Sequence, residues 1–408
     1  MSSEYIDIVL AGDIGVFRGG SGFPVRFQGQ KSGQLPFFKV SDMNRPGNEL
    51  FMDQANNYVS EELRASMGAA RIPAGAIVFA KVGAAVYLER KRILAHDSCI
   101  DNNMAAFIVD NSRFDVRFLH YLLSAFKLSS LVAATALPSL NGTQLRSIPL
   151  LMPSTVAEQR EIARTLSSVD MLISSIERLI EKKQAIKKGM MRQLLAGQTR
   201  LPGFHGEWEV KTLSELADIR SGGTPSTTEP KFWDGEVPWC TPTDITALSG
   251  HKYLRKTSRT ITEQGLKSSS AEMIPAQSIV MTSRATIGDC AINQVPVSTN
   301  QGFKNFVPFQ SVDVDFLYYL LTTQKQGFIS LGGGSTFLEI GKGQLVAFEV
   351  RLPCAKAEQT AIATVLTDMD TELALLEARL AKTRALKQGM MQELLTGRTR
   401  LVAAEDAS

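Results

Sequence analysis

Residues 153–201 have the sequence PSTVAEQREIARTLSSVDMLISSIERLIEKKQAIKKGMMRQLLAGQTRL, and residues 353–401 repeat it without a gap as PCAKAEQTAIATVLTDMDTELALLEARLAKTRALKQGMMQELLTGRTRL. Of the 49 aligned positions, 21 are identical, including Ala-Glu-Gln near the start, Gly-Met-Met, and Thr-Arg-Leu at the end. Two such similar segments, 200 residues apart, indicate an internal duplication that organises the whole chain.

Each copy predicts one long helix, because its apolar residues recur at steps of three and four. The predicted seam consists of Ile162, Leu166, Val169, Ile173, Ile176 and Ile180 in the first copy and Ile362, Leu366, Met369, Leu373, Leu376 and Leu380 in the second. A helix from Glu158 to Ala196 would be about 58 Å long, too long to bury its stripe on a small domain. We therefore predict a coiled coil between the two helices, with a core helix in each half as the alternative.

The segments that precede the two helices, 1–152 and 202–352, are related more weakly. RGGSGFP at 18–24 corresponds to RSGGTP at 220–225, and FLHYLLSA at 118–125 corresponds to FLYYLLTT at 316–323. Short β-branched runs such as Ser278–Thr282, together with a short helix near 315–323, predict an α+β fold. The predicted organisation is a first domain at 1–152, a helix at 153–201, a second domain at 202–352, a helix at 353–401 and a tail at 402–408.

The composition excludes several classes of protein. The chain of 408 residues is 44% hydrophobic and 21% charged, with no signal peptide or membrane span, so we expect a cytoplasmic protein. The four cysteines lie far apart and predict buried thiols without a disulfide framework, and the four histidines lack the spacing of metal ligands. These residues are Cys99, Cys240, Cys290 and Cys354, and His96, His120, His205 and His251.

No sequence motif of a common enzyme is present. The glycine clusters lack the spacing of a phosphate-binding loop or a dinucleotide fingerprint, and no Gly-x-Ser-x-Gly elbow occurs. A net charge of +3 does not by itself indicate a nucleic-acid-binding protein. The motifs therefore predict a chain without a catalytic site or a metal site.

The chain resembles the specificity (S) subunits of type I restriction-modification systems over nearly its whole length. The resemblance rests on the two repeated helices, on RLPGFHGEWEVKTLSELADIRSGGTP at 200–225 and on VPWCTPTDI at 237–245. The segment YIDIVLAGDIGVFRGGSGFP at 5–24 departs from the family pattern, since it lacks the Trp and the Gly-Thr-Pro of the second half.

The resemblance implies two tandem target recognition domains joined by two long helices, which form an antiparallel coiled coil with pseudo-twofold symmetry. It also implies a non-catalytic subunit in which each domain reads its own half of a bipartite, asymmetric target in double-stranded DNA. The expected protein partners are two modification (methyltransferase) subunits and two restriction (endonuclease/translocase) subunits. S-adenosylmethionine, ATP and magnesium are expected on those partners, and no cofactor is expected on this chain.

Candidate DNA-binding residues are polar side chains in loops that follow strands, because base edges are read by amide, guanidinium and hydroxyl groups. In the first domain they are Lys39, Ser41, Asp42, Lys81, Asp101, Asn102 and Asn103. In the second domain they are Thr241, Thr243, Asp244, Ser283, Arg284, Thr299, Asn300, Gln301 and Lys304.

Two other functions stay open at this stage. One is a stand-alone DNA methyltransferase or nuclease with built-in recognition domains, although its motifs are missing. The other is a coiled-coil scaffold that binds only proteins.

Overall fold

The computed structural model describes residues 6–132, 138–332 and 339–401, so the predicted tail at 402–408 lies outside the described residues. The chain forms two compact units. One contains the residues up to Ile176 together with those from Arg379 onward, and the other contains Glu177–Ala378. Each unit therefore combines one α+β domain, the beginning of one long helix and the end of the other.

Ten strands in the described part of the first unit form three sheets. They are β1 (Ile6–Leu10), β2 (Gly15–Gly19), β3 (Leu35–Phe38), β4 (Phe51–Met52), β5 (Tyr58–Val59), β6 (Ile77–Ala80), β7 (Lys91–Leu94), β8 (Cys99–Ile100), β9 (Met104–Val109) and β10 (Pro149–Pro153). The sheets have the orders β2-β9-β6-β7-β4, β5-β3-β8 and β1-β10. In β3 and β6 every residue is buried, as expected for strands covered on both faces.

The strands of the second unit have the same layout. They are β11 (Trp208–Thr212), β12 (Ala217–Ser221), β13 (Trp233–Cys240), β14 (Tyr253–Leu254), β15 (Arg259–Ile261), β16 (Ser278–Thr282), β17 (Cys290–Asn293), β18 (Ser298–Thr299), β19 (Phe303–Pro308) and β20 (Glu349–Pro353). Their orders are β12-β19-β16-β17-β14, β15-β13-β18 and β11-β20. Both β3–β8 and β13–β18 are parallel pairs, so the duplication extends to strand direction.

The described α-helices are mostly short, apart from the two repeated ones. They are α1 (Ala11–Ile14), α2 (Glu61–Ser66), α3 (Val116–Ala125), α4 (Gly142–Arg146), α5 (Val156–Leu195), α6 (Leu213–Leu216), α7 (Pro242–Ala247), α8 (Glu263–Lys267), α9 (Val314–Thr323), α10 (Lys325–Leu331), α11 (Lys342–Val346) and α12 (Lys356–Leu394). No helix in the described part of the chain has an apolar stretch long enough to cross a bilayer.

The two long helices end where the sequence predicts. Gly197 and Gly397 lie just beyond α5 and α12 and adopt φ of 67° and 69°, the left-handed conformation that closes a helix end. The amide of Gly197 donates to the carbonyl of Leu194, and that of Gly397 donates to Leu394.

Within each unit the helix segments pair in antiparallel fashion. In the first unit Glu158 pairs with Arg400 and Asp170 pairs with Lys387. Residue numbers therefore increase along one helix segment while those of the paired residues decrease along the other. The second unit repeats this arrangement with Glu358–Arg200 and Asp370–Lys187. The predicted fold class, α+β with two tandem domains and long antiparallel helices, is confirmed.

The hydrophobic core of each unit combines both repeats. In the first unit, Ile162 and Leu166 of α5 lie in one buried cluster with Leu394, Leu395 and the domain's own core. The cluster of the second unit contains the equivalent residues Ile362, Leu366, Leu194 and Leu195. All twelve predicted seam residues are buried or half-buried, whereas Ile186 and Leu386 at the apolar positions farther along are exposed.

The prediction of buried thiols is wrong for one cysteine. Cys99, Cys240 and Cys290 are buried, but Cys354 is exposed, since it lies just after the end of β20 and before α12. Burial raises the pKa of Cys99 to about 11 and that of Cys290 to about 12, so both thiols are protonated at neutral pH.

Candidate nucleic-acid interface

Three loops of the second domain meet at one end of its sheets. The amide of Ser283, just after β16, donates to the carbonyl of Gly302 at 2.7 Å, and the amide of Asn300 donates to Cys240 at 3.0 Å. The amide of Ile340 donates to the carbonyl of Ser283 at 3.0 Å. The predicted residues at 241–244, 283–284 and 299–304 are therefore brought together at one edge, which we call the second loop edge.

The first domain has the same backbone frame. The amide of Lys81 donates to Asn103 at 2.8 Å, the amide of Asp101 donates to Phe38 at 2.9 Å, and the amide of Leu140 donates to Lys81 at 2.8 Å. The predicted residues at 39–42, 81 and 101–103 therefore share the equivalent edge, the first loop edge.

A glycine at each edge permits close backbone contact. A Cβ atom on Gly222 would lie 1.9 Å from the carbonyl oxygen of Asn300, and one on Gly20 would lie 1.9 Å from that of Asp101. Because real Cβ atoms never approach so closely, only glycine allows the chain after β2 or β12 to pass against the loop.

Two predicted carboxylates hold the loops from inside. Asp244 is buried and accepts the amides of Thr241 at 2.8 Å and Ser258 at 2.7 Å. Burial alone would raise the pKa of Asp244, but these hydrogen bonds outweigh it and the pKa is lowered. Asp42 is fully buried and accepts the amides of Lys39 and Asn56. Both carboxylates therefore hold backbone amides of their loops, and their contact with a base remains a prediction.

Four more predicted residues are buried and face inward. Lys304 lies on β19 rather than in a loop and is 6% exposed; burial lowers the pKa of its ammonium. Thr299 accepts from Asn305 at 2.8 Å. Ser283 is fully buried, and Asp101, 6% exposed, accepts the amide of Asn103 at 3.0 Å. These four side chains are buried in the chain without DNA, and their contact with bases remains a prediction.

The remaining predicted residues are accessible. Those with exposed side chains are Ser41, Asn102, Asn103, Thr243, Arg284 and Gln301, and those that are half-buried are Lys39, Lys81, Thr241 and Asn300. Amide, hydroxyl and guanidinium groups of this kind match the donors and acceptors displayed in the major groove. Their contact with DNA remains a prediction.

Sequence reasoning missed a carboxylate at the second loop edge. Glu339 accepts from Arg284 Nε at 2.8 Å and lies 4.0 Å from Lys304 Nζ. It is more than 30 residues beyond the other edge residues and follows no predicted strand, so no motif marked it.

Sequence reasoning also missed the contacts that join each domain to its long helix segments. In the second unit Tyr319 of α9 donates to Asp370 at 2.6 Å, and Asp370 also accepts from Lys187. The equivalent trio in the first unit is Tyr121, Asp170 and Lys387. The signal was present in the sequence, because the Asp and Lys residues are among the positions that are identical in the two repeats.

Each of the two units contains an α+β domain with a polar loop edge and a segment of each long helix, so the chain is a duplicated two-domain protein. The family model described as "Type I restriction modification DNA specificity domain" matches residues 8–188 and 205–383. The chain belongs to this family, and the resemblance inferred from its motifs is confirmed.

Individual relatives agree with this assignment. The specificity subunit of the type I restriction enzyme MjaIX from Methanocaldococcus jannaschii is 39% identical over 166 residues, which cover 40% of this chain and 38% of that protein. The putative MjaX specificity subunit of the same organism is 26% identical over 369 residues, 84% of this chain and 83% of the relative. The EcoR124I/EcoR124II specificity subunit of Escherichia coli is matched over 56% of its length at 28% identity.

Solved structures show the same fold. A type I restriction-modification S subunit from M. genitalium has a TM-score of 0.59 at 14% identity, with 97% of both chains covered. The HsdS subunit from Thermoanaerobacter tengcongensis has a TM-score of 0.53 at 16% identity, covering 97% of this chain and 98% of that one.

Proposed function

We propose that this chain is the DNA sequence-recognition and scaffolding subunit of a type I restriction-modification complex. It has no catalytic role of its own and directs methylation or distant cleavage by its partner subunits. The alternatives, a stand-alone DNA enzyme and a protein-only scaffold, receive no support from the family match.

One observation carries this proposal. The two loop edges have the same backbone frame but different accessible side chains: Ser41, Asn102 and Asn103 in the first, and Thr243, Arg284 and Gln301 in the second. A shared frame with unlike donors and acceptors suits two readers of unlike sequences. The target is therefore bipartite and asymmetric.

The proposed partners are double-stranded DNA, two modification subunits and two restriction subunits, in the cytoplasm. Large apolar side chains on the long helices support protein docking, since Met171 is 65% exposed and Leu375 is 67% exposed. S-adenosylmethionine, ATP and magnesium belong to the partner subunits in this proposal, and no cofactor is assigned to this chain.

The charge of the chain supports the need for partners. DNA affinity that is independent of sequence comes mainly from phosphate neutralisation, and the net charge here is only +3. The chain alone should bind DNA weakly, and the assembled complex should bind tightly.

The test uses the chain assembled with its modification subunits. Sequencing of methylated sites should give one bipartite motif, and replacing residues 202–352 with the equivalent domain of a relative should change only one half of it. The chain alone, supplied with S-adenosylmethionine or with magnesium and ATP, should neither methylate nor cut DNA. Turnover by the chain alone, or a change in both half-sites after the replacement, would contradict the proposal.

A further inference from the structure

We propose that Arg284 and Glu339 form a guanine-reading pair at the second loop edge, in which Glu339 orients the guanidinium of Arg284 toward a G·C pair. The inference rests on the proposed function and names the base class that one position of the second half-site requires.

The geometry of the pair supports this role. Arg284 Nε lies 2.8 Å from Glu339 Oε2, and the two residues are also joined as an isolated antiparallel β-bridge, so both backbone and side chain hold them together. The Arg284 side chain is 47% exposed. Among residues 6–132, 138–332 and 339–401, no hydrogen-bond acceptor engages its two Nη groups.

The hydrogen-bonding pattern of the two Nη groups of Arg284 selects guanine. With Nε engaged, the two Nη groups remain as parallel donors on a planar fork. Guanine presents two acceptors, O6 and N7, in the major groove, whereas adenine pairs an acceptor with a donor, cytosine presents a donor and thymine one acceptor beside a methyl group. A second guanine contact by the carboxylate is excluded because guanine offers it no donor in the major groove.

The surroundings keep the pair in place and leave it accessible. The carboxylate of Glu339 lies between Arg284 and the buried ammonium of Lys304, whose Nζ is 4.0 Å from Glu339 Oε1. The positive charge of Lys304 offsets the negative charge of Glu339, which would otherwise repel the phosphate backbone of bound DNA. Gly302 lies next to the arginine, and a Cβ atom there would be 3.9 Å from Arg284 Cδ and 3.1 Å from Asn300 Oδ1. Because Gly302 has no side chain, the aliphatic part of the Arg284 side chain meets no neighbouring side chain at this position.

The first domain offers an internal comparison. Its equivalent isolated bridge joins Val82 to Ser139, with the same antiparallel direction. Valine and serine have neither the cation nor the carboxylate, although the backbone is the same. The guanine requirement therefore belongs to the second half-site alone at this position.

This comparison suggests the variant for the test. The double substitution Arg284→Val with Glu339→Ser places the side chains of the first domain on the second. In the complex with modification subunits, sequencing of methylated sites should show that one position of the second half-site loses its preference for guanine by about tenfold or more. All other positions and the entire first half-site should stay as they are.

Two single variants and a control sharpen the result. Arg284→Lys keeps the positive charge but lacks the planar fork, and Glu339→Gln removes the carboxylate charge; both should weaken the preference for guanine at the same position. The control is Lys211→Ala with Glu209→Ala, which removes another ion pair of the same unit, on β11, and should leave the motif unchanged.

The outcomes separate this inference from the proposed function. An unchanged motif in the double variant, or loss of discrimination at every position of the second half-site, would overturn the guanine pair, because the first denies a base contact and the second indicates a general loss of structure. If the unaltered chain gave no bipartite motif, the proposed function itself would be overturned, and this inference with it.

Discussion

Tyr319 donates its hydroxyl hydrogen to Asp370 at 2.6 Å, and Tyr121 makes the same bond to Asp170 at the same distance in the other unit. Burial raises the pKa of both tyrosines, and the aspartates raise it further. Since Asp370 also accepts from Lys187, a single carboxylate joins a domain helix to both long helix segments of its unit.

Asp370→Asn should destabilise the second unit. The amide still accepts from Tyr319 but no longer attracts Lys187, and loss of a hydrogen bond between charged groups costs about 1–2 kcal/mol. The midpoint of thermal unfolding should fall by several degrees. Asp368→Asn, an identical change at an exposed position of the same helix, is the control, and equal shifts for both variants would show that the junction adds no stability.

Glu358→Gln should be more destabilising. The Glu358 side chain is 2% exposed and accepts two hydrogen bonds from Arg200, at 2.6 and 2.8 Å. Removing one partner of a largely buried pair leaves the other charge uncompensated, which costs about 2–3 kcal/mol here because Arg200 is partly exposed. Chemical denaturation of the chain measures the effect, and Glu377→Gln at an exposed helix position should be nearly neutral. A neutral Glu358→Gln variant would refute this account.

Gly222→Ala should abolish reading of the second half-site while the first remains intact. The added methyl group would meet the carbonyl of Asn300 and displace the 299–302 loop. Gly20→Ala should have the mirror effect on the first half-site. Methylated-site sequencing compares both with Gly206→Ala, whose Cβ would meet no heavy atom within 4 Å; loss of both half-sites in either edge variant would contradict the prediction.

His120 should make the first unit sensitive to mild acid. Burial lowers the pKa of His120 to about 4; its Nε2 lies near the carbonyl of Lys91, and its buried Nδ1 has no hydrogen-bond partner among the residues that the structure describes. An unfolded histidine titrates near 6.5, so the unfolded chain binds the additional proton between these values. Stability is therefore lost as the pH falls from about 6.5 to about 4, by about 2 kcal/mol at pH 5.

The matching variant is His120→Gln, which retains a side-chain donor but does not titrate. Thermal unfolding at pH 7 and pH 5 should show a smaller loss in this variant than in the unaltered chain. His96→Gln, at an exposed histidine, is the control. An equal loss of stability in all three proteins would remove His120 as the cause.

The regular parts of the fold follow from local patterns in the sequence. The apolar spacing of the repeats predicted helices whose observed bounds, Val156–Leu195 and Lys356–Leu394, lie within a few residues of the expectation. Ser278–Thr282 was predicted as a strand and is one. Both patterns are local, and the helix and strand periods suffice to identify them.

The site was predicted less fully, because exposure is a tertiary property. Lys304 was predicted to lie in a loop and contact a base, yet it lies on β19, whose first four residues, 303–306, are buried. Asp244 stands three residues after Thr241, the spacing of a capping box, and the structure uses it as one. Glu339 was missed because its partnership with Arg284 depends on a bridge between segments 55 residues apart.

The division of each unit between two distant stretches of chain affects how the protein is made. Leu394 and Leu395 belong to the core of the first unit, yet the whole second unit, Glu177–Ala378, lies between Ile176 and the segment that contains them. At a synthesis rate of about 5–20 residues per second, the ribosome needs about 10–40 s to add that stretch. The first domain is synthesised before the second. Its hydrophobic core lacks Leu394 and Leu395 until the end of α12 has been synthesised.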